Sequence, residues 1–184
     1  MKILGTIVND KMSWDDNCQH LIKKVNARMQ LLRGVQSFGA TRSEMVHLWT
    51  VFCRSVLEQS CAVWHSSLTQ ENIDDLERTQ KSFCKMVLKE HYNSYEEALL
   101  NLDMDSLHER RNNFQLKFAK SGIKYDKLND LLPETEKIRK IETRNHENFK
   151  VDFAHTERLK KSSIIAMQRQ LNTDSHKNKK RKWG

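Results

Sequence analysis

The spacing of apolar positions changes twice along this chain. Lys2 to Val8 gathers Ile3, Leu4, Ile7 and Val8 in a short run that closes on the turn-prone Asn9-Asp10, and it reads as one β-strand. A lone strand cannot satisfy its own backbone hydrogen bonds, so this run is expected to need a partner from a longer chain. From Ser13 the period lengthens to three or four. Cys18, Leu21, Ile22, Val25, Met29, Leu32 and Val35 form one stripe, with Lys23, Lys24, Arg28 and Arg33 largely off it, which predicts an amphipathic helix of about six turns. Gly39 is a suitable stop. Thr41 or Ser43 can cap a second helix whose Met45, Leu48, Trp49, Phe52, Cys53, Val56 and Leu57 make a broad apolar face, expected to be its most buried part. The apolar Cys61 to Trp64 extends or follows it.

Thr69 should cap a third helix carrying Ile73, Leu76, Phe83, Val87 and Leu88. Two capping boxes follow, Ser94 with Glu97 and Ser106 with Glu109. In each the hydroxyl can accept from the third backbone N–H while the carboxylate returns to the cap's own N–H. After Gly122 the pattern loosens, and Pro133 marks the predicted edge of the packed domain. Residues 134–156 read as extended or disordered, with a short helix near Leu159 to Leu171 and a disordered tail from Asn172 to Gly184. The expected fold is mainly α: a helical bundle over residues 15–133, preceded by one short N-terminal β-strand and turn (1–14) and followed by a loosely structured basic tail (134–184).

Composition supports helix, since five Gly and one Pro in 184 residues leave little for the turns of an all-β chain. The net charge of +8 sits at one end: from Glu134 onward there are 14 Lys or Arg against 7 Asp or Glu. Such a tail attracts polyanions, nucleic acid first and an anionic membrane surface second. No apolar run approaches the ~20 residues of a membrane span. Cys18, Cys53, Cys61 and Cys84 lie in helical segments with no secretory signal ahead of them, which favours reduced, buried thiols and a nuclear or cytoplasmic location.

Candidate chemistry is sparse. Adjacent carboxylates occur at Asp15-Asp16 and Asp74-Asp75, and a polymerase holds Mg²⁺ with such a pair on a tight β-hairpin. Here one pair opens a helix, where acidic residues suit the dipole, and the other lies inside one. Cys61 and His65, four apart, with Cys53 eight residues earlier, match none of the common zinc spacings. No P-loop or G-x-G-x-x-G occurs, and no catalytic triad can be assembled. Arg110-Arg111 with Arg78 and Lys81 can line a nucleic-acid groove, or equally form a solvated helix face. Lys177 to Lys182 holds five cations in six positions. Were all five on phosphates of a single strand, log affinity would fall against log salt with a slope of about −3.5; an inert solubilising tail or a nuclear-import signal fits the same residues.

Taken in order, these pieces resemble a known family. Leu4-Gly5-Thr6 with Asp10, Met12 and Ser13-Trp14 looks like the Leu-Gly, Asp, Leu-Ser-Trp stretch that follows the catalytic palm in reverse transcriptases of jockey-like non-LTR retrotransposons. A basic helix follows in that family, here Ile22 to Arg33, then a Leu-Glu-Tyr and Val-Trp pattern, here Ser55-Val56-Leu57-Glu58 and Ala62-Val63-Trp64. Leu76-Glu77-Arg78-Thr79-Gln80, Tyr95-Glu96-Glu97-Ala98-Leu99, and Leu107 with Arg110-Arg111 continue it, and Thr143-Arg144-Asn145 to Gln168-Arg169 is similar to the tail of such elements. No single motif is specific; their collinearity over Ile3 to Ala119 is. Gln59 departs from the pattern, standing where the family has an aromatic residue.

The resemblance implies the last palm strand, a helical thumb and the region after it, which grip a template RNA and nascent strand through their backbones. Catalytic aspartates and Mg²⁺ would belong to a palm upstream of Met1, so no catalytic residue, metal ligand or cofactor is assigned to this chain and no polymerase activity is expected of it alone. From charge and helical placement, the expected phosphate contacts are Arg28, Arg33, Arg78, Arg110, Arg111, Lys179, Lys180, Arg181 and Lys182. The alternative is an orphan or domesticated helical domain that binds another protein through the Met45 to Leu57 face, which would then be exposed in the isolated chain.

Overall fold

The computed structural model describes residues 1–11, 13–123, 125, 132, 149, 151 and 153–182, with side chains as far as Ser175. Helix takes up 72% of the described residues, so the mainly α reading stands. The N-terminal run differs from expectation by pairing with itself. Strand β1 (Lys2–Ile3) lies antiparallel to β2 (Thr6–Ile7), with Lys2 opposite Ile7 and Ile3 opposite Thr6. Leu4 and Gly5 between them take φ of +46° and +88°, the two positive values of a type I′ turn, whose twist matches that of the flanking strands. Leu at the first turn position hides this hairpin from a reader looking for Asn-Gly. Val8 N–H donates to Met1 O at 2.9 Å and the N-terminal ammonium to Val8 O at 2.8 Å, which closes the ladder. Because the run supplies its own partner, it no longer calls for a strand from elsewhere.

A two-stranded hairpin is marginal alone, and two amides pin this one. Ile7 N–H donates to Asn17 Oδ1 at 3.0 Å, and Gln59 Nε2 donates to Leu4 O at 3.0 Å. Asn17 stands in helix α1 (Asp15–Ser37), whose buried stripe is Cys18, Leu21, Val25, Met29 and Leu32. Thr41 caps α2 (Arg42–Leu48) in a complete capping box with Glu44. The chain continues through a π-helical turn, Trp49–Arg54, into α3 (Ser55–Leu57). The wider turn keeps Met45, Trp49, Cys53 and Leu57 inside while leaving Phe52 37% exposed, because a π-turn inserts one residue into the α-helical register. Trp49 stacks on Phe83 at 4.6 Å between ring centroids. Most of the Met45 to Leu57 face is thus in the chain's own core, with Leu48 partly buried and Phe52 exposed at its margin.

After α4 (Cys61–Trp64) and a 3-10 turn, His65–Ser67, Thr69 caps α5 (Gln70–Leu88), accepting from Asn72 N–H at 3.2 Å. Ser94 caps α6 (Tyr95–Asn101), and Ser106 caps α7 (Leu107–Gly122); each hydroxyl accepts from the third residue's N–H at 3.1 Å. The Ser94 box is only half formed, because Glu97 accepts from Asn93 Nδ2 instead of returning to the cap.

The chain divides into two compact units, Met1–Cys61 with Leu68–Arg111, and Ala62–Ser67 with Asn112–Gly184, rather than at residues 14 and 133. In the second unit Gln115 explains why Ala62–Ser67 belongs there: its Nε2 donates to Ala62 O and Ser66 Oγ, both at 3.2 Å, and its Oε1 accepts from Gln170 Nε2 at 3.2 Å. Ala119, Leu132, Phe149, Met167 and Leu171 form that unit's core. Residues after 133 therefore contribute core at Phe149, Met167 and Leu171, the last two within the helix expected near Leu159 to Leu171. They include α8 (Glu157–Lys160) and α9 (Ser163–Lys182). Asn172, read as the start of the tail, is buried and holds the Phe149 backbone with two 3.0 Å hydrogen bonds, one to N–H and one to C=O. Pro133, most of 134–156 and the Thr143-Arg144-Asn145 motif lie outside the described residues.

Candidate functional site

The motif residues scattered along the sequence converge on a polar network inside the first unit. Its centre is Glu77, on the face of α5 toward α6 and the start of α7. One Glu77 oxygen accepts from Tyr95 Oη at 2.6 Å and from Leu107 N–H at 3.3 Å, and the other accepts from His108 N–H at 2.5 Å. A carboxylate thus sits on the positive end of α7 and satisfies donors that have no partner within the helix. Gln80, one turn on, donates to Tyr95 Oη at 3.1 Å and to Asp105 O at 2.9 Å, fixing the connection into α7. Burial, and then the bond to Glu77, push the Tyr95 phenol well above its usual range.

Arg110 and Arg111 point into this network. Arg110 Nε donates to Glu58 Oε1 at 2.6 Å, with Arg54 3.9 Å from the same oxygen. That bond holds the Arg110 guanidinium more firmly charged, while burial and the neighbouring Arg110 charge lower Arg54. Arg111 is 0% exposed, 4.0 Å from Glu77, and burial lowers its affinity for its proton against the pull of Glu77. A side chain with no exposed surface cannot meet a phosphate, so Arg111 is corrected from nucleic-acid contact to internal counter-charge, and Arg110 is largely committed to Glu58. Adjacent arginines signal cation demand, but their sequence neighbours do not reveal that Glu58 and Glu77 fold over them.

The remaining candidates are not gathered into one site. Arg28 lies over the Phe52 ring at 4.5 Å and donates to Phe52 O. Arg33 is exposed. Arg78 is 71% exposed and pairs with Asp75 at 2.6 Å. Lys179, Lys180, Arg181 and Lys182 fall on helical backbone, and their side chains lie outside the described residues. One charge feature escaped the motif search: between Asp16 and Glu44 there is no acidic residue, while Lys23, Lys24, Arg28, Arg33 and Arg42 fall in that interval. Burial, then Lys24, Lys2 and Lys23, depress the His20 pKa, which places those cations around one end of α1.

Both aspartate pairs are on helices, as their sequence context predicts. Asp15 accepts from Asn72 Nδ2 at 2.6 Å and Asp16 from Asn9 Nδ2 at 3.1 Å, while Asp74 accepts from Gln70 and Asp75 from Arg78. His65 Nε2 is 3.1 Å from Asn112 Oδ1, and Cys18, Cys53, Cys61 and Cys84 are buried and not joined in disulfides. Among the described residues no three His, Cys, Asp or Glu side chains converge as a metal site, and no helix is long and apolar enough to cross a membrane. No family model, curated protein or solved structure matches this chain.

Proposed function

We propose that this chain is a thumb-like segment of a retrotransposon reverse transcriptase that grips template-primer nucleic acid by its backbone and does not polymerise on its own. One observation carries the reading: Glu58, Glu77, Gln80, Tyr95, Arg110 and Arg111 were singled out by the family resemblance, and they meet in one hydrogen-bonded and ion-paired network. Chance matches would be expected to scatter. The network itself is too buried to bind nucleic acid; it positions the helices that would. Binding falls instead to the acid-free length of α1, with Lys23, Lys24 and Arg33 exposed, joined by Arg78 and the basic residues 177–182. Contacts of this kind neutralise phosphates without reading bases, so affinity should be salt-dependent and sequence-tolerant.

Fluorescence anisotropy of the full chain with a labelled RNA/DNA hybrid at low salt tests the proposal. Affinity that falls linearly with log salt, and that drops in the Lys23→Glu, Lys24→Glu, Arg33→Glu variant, is the expected outcome. Absence of binding to RNA, DNA and hybrid alike would sink it, and so would primer extension by the purified chain.

A further inference from the structure

Along the whole chain one serine or threonine alone has a cation at both the second and the third position ahead of it: Ser163, preceded by Lys160 and Lys161. Ile164, which follows it, is 39% exposed. Arg158 adds a further cation, and between Glu157 and Asp174 the sequence holds no acidic residue. The fold gathers these charges at the junction of α8 and α9. Lys160 pairs with Glu157, whose carboxyl is held below its usual range by that bond first and by the Lys161 and Arg169 charges after it. Arg169 Nη1 donates to Lys160 O at 3.3 Å, which brings a guanidinium from further along α9 back to the same turn.

The Ser163 hydroxyl is accessible, and the segment around it opens at little cost. Ser162 and Ser163 are both partly exposed, and among the described residues neither hydroxyl makes a hydrogen bond. Ser55 and Thr79, each after an arginine, are instead within helical turns and donate to Val51 O and Asp75 O. A protein kinase takes the residues around its target in extended form, so residues 158–164 must leave their helical turns to react. Helix α8 buries none of its side chains, and opening it therefore gives up no apolar core. What it gives up is hydrogen bonds, among them the Thr156 cap at 3.2 Å and the Ser67 Oγ bond to Lys161 O at 2.9 Å. Segments with few buried contacts open at the low end of local stability, and Ser163 is the first residue of α9, where helices fray.

We propose that Ser163 is a phosphorylation site for a serine/threonine kinase that selects basic residues ahead of its target, and that the phosphate then fastens the α8–α9 turn to Lys160 and Arg169. Such a kinase sets carboxylates against Lys160 and Lys161 and an apolar pocket against Ile164, a charge pattern by which these enzymes choose substrates. Ser163 Oγ attacks the γ-phosphorus of ATP in line, the bond to the β,γ-bridging oxygen breaks, ADP leaves, and the hydroxyl proton passes to the kinase's catalytic carboxylate. The product carries nearly two negative charges at neutral pH and meets cations that Glu157 balances only in part. Charge-assisted bonds from Lys160 and Arg169 hold it at the turn. The proposal does not rest on the nucleic-acid reading and survives its failure.

The test uses the full chain, radiolabelled ATP and, as the probe, the catalytic subunit of cyclic-AMP-dependent protein kinase. Phosphate on Ser163, located by fragmentation mass spectrometry, is expected. Ser163→Ala should abolish incorporation and Ser162→Ala should leave it, while the double variant Lys160→Ala, Lys161→Ala should slow it about tenfold or more through the loss of two charge-assisted contacts. The phosphorylated chain should melt about 2–4 °C higher than the unmodified one, and Arg169→Ala should reduce that rise. No incorporation, phosphate at another residue in place of Ser163, or incorporation only after urea has unfolded the chain overturns the site. A rate that the double lysine variant leaves unchanged does the same. An unchanged or lowered melting midpoint with Ser163 fully phosphorylated overturns the fastening of the turn.

Discussion

Glu77 gathers a phenol, two backbone N–H groups and a buried guanidinium around one carboxylate. Removing it would take the nearest counter-charge from the buried Arg111 and leave unsatisfied donors at the start of α7. Glu77→Ala should therefore destabilise the chain by about 3–5 kcal/mol in urea titration, the range for breaking one partner of a buried pair. Tyr95→Phe, which removes the bond to Glu77 and the one from Gln80 and keeps the ring, should cost about 1–3 kcal/mol. The thiols make a second residue-scale prediction. Burial raises Cys18 and Cys84 to about 12 and Cys53 to about 11, from an ordinary 9.0. As pH rises past 9 the unfolded chain releases these protons first, so the native state binds more protons and stability falls toward pH 11 to 12. Cys84→Ala should flatten that decline by about 1.4 kcal/mol per pH unit, measured by denaturation between pH 8 and 10.5. Arg110 and Arg111 show the limit of reading at this scale, because an arginine on phosphate and an arginine on a buried carboxylate look alike in sequence.

At the scale of elements, the caps were the most legible feature. Thr41, Thr69, Ser94 and Ser106 all accept from the third residue's N–H, since that hydrogen bond is made within four residues and needs no distant partner. Thr69→Ala should cost about 1 kcal/mol, read as a shift in the urea midpoint at constant slope. The hairpin was less legible, as its turn depends on a positive φ at Leu4 that the sequence does not advertise. Gly5 is the more exacting position. Its φ of +88° excludes most side chains, and a Cβ there would run into the Gln59 amide that holds Leu4. Gly5→Ala should cost about 1–2 kcal/mol and release the Gln59 contact, seen as faster amide exchange at Ile7 and Val8. Gln59 itself has a local use in pinning the hairpin.

For the molecule as a whole, charge distribution sets the expected behaviour more than any site does. Helix α1 carries Lys23, Lys24, Arg28 and Arg33 with no acidic residue after Asp16, and most of the chain's surplus positive charge lies from Glu134 onward. If both regions meet phosphate, deleting residues 177–184 should lower the salt slope for single-stranded RNA by up to about 3.5, leaving a residual slope due to α1. An unchanged slope would mark the basic end as inert toward RNA. Division into units was not legible, because the signals that set it are single amides: Gln115 on Ala62 and Ser66, and Asn172 on Phe149. Polar residues inside a helical pattern read as surface, and only a fold shows what they reach.

What the sequence alone determined is local: mainly helical composition, helix starts, the buried stripe of α1, the placement of both aspartate pairs on helices and the excess of cations. Each follows from spacing or capping within about one helical turn. Tertiary structure decided everything that rests on partners far apart in the chain. It turned a lone strand into a hairpin, gave Arg110 and Arg111 to Glu58 and Glu77, put Met45, Trp49, Cys53 and Leu57 into the core and left Leu31, Val35 and Phe38 outside it. Burial and counter-charge belong to a residue's surroundings, and those exist only once the chain has folded.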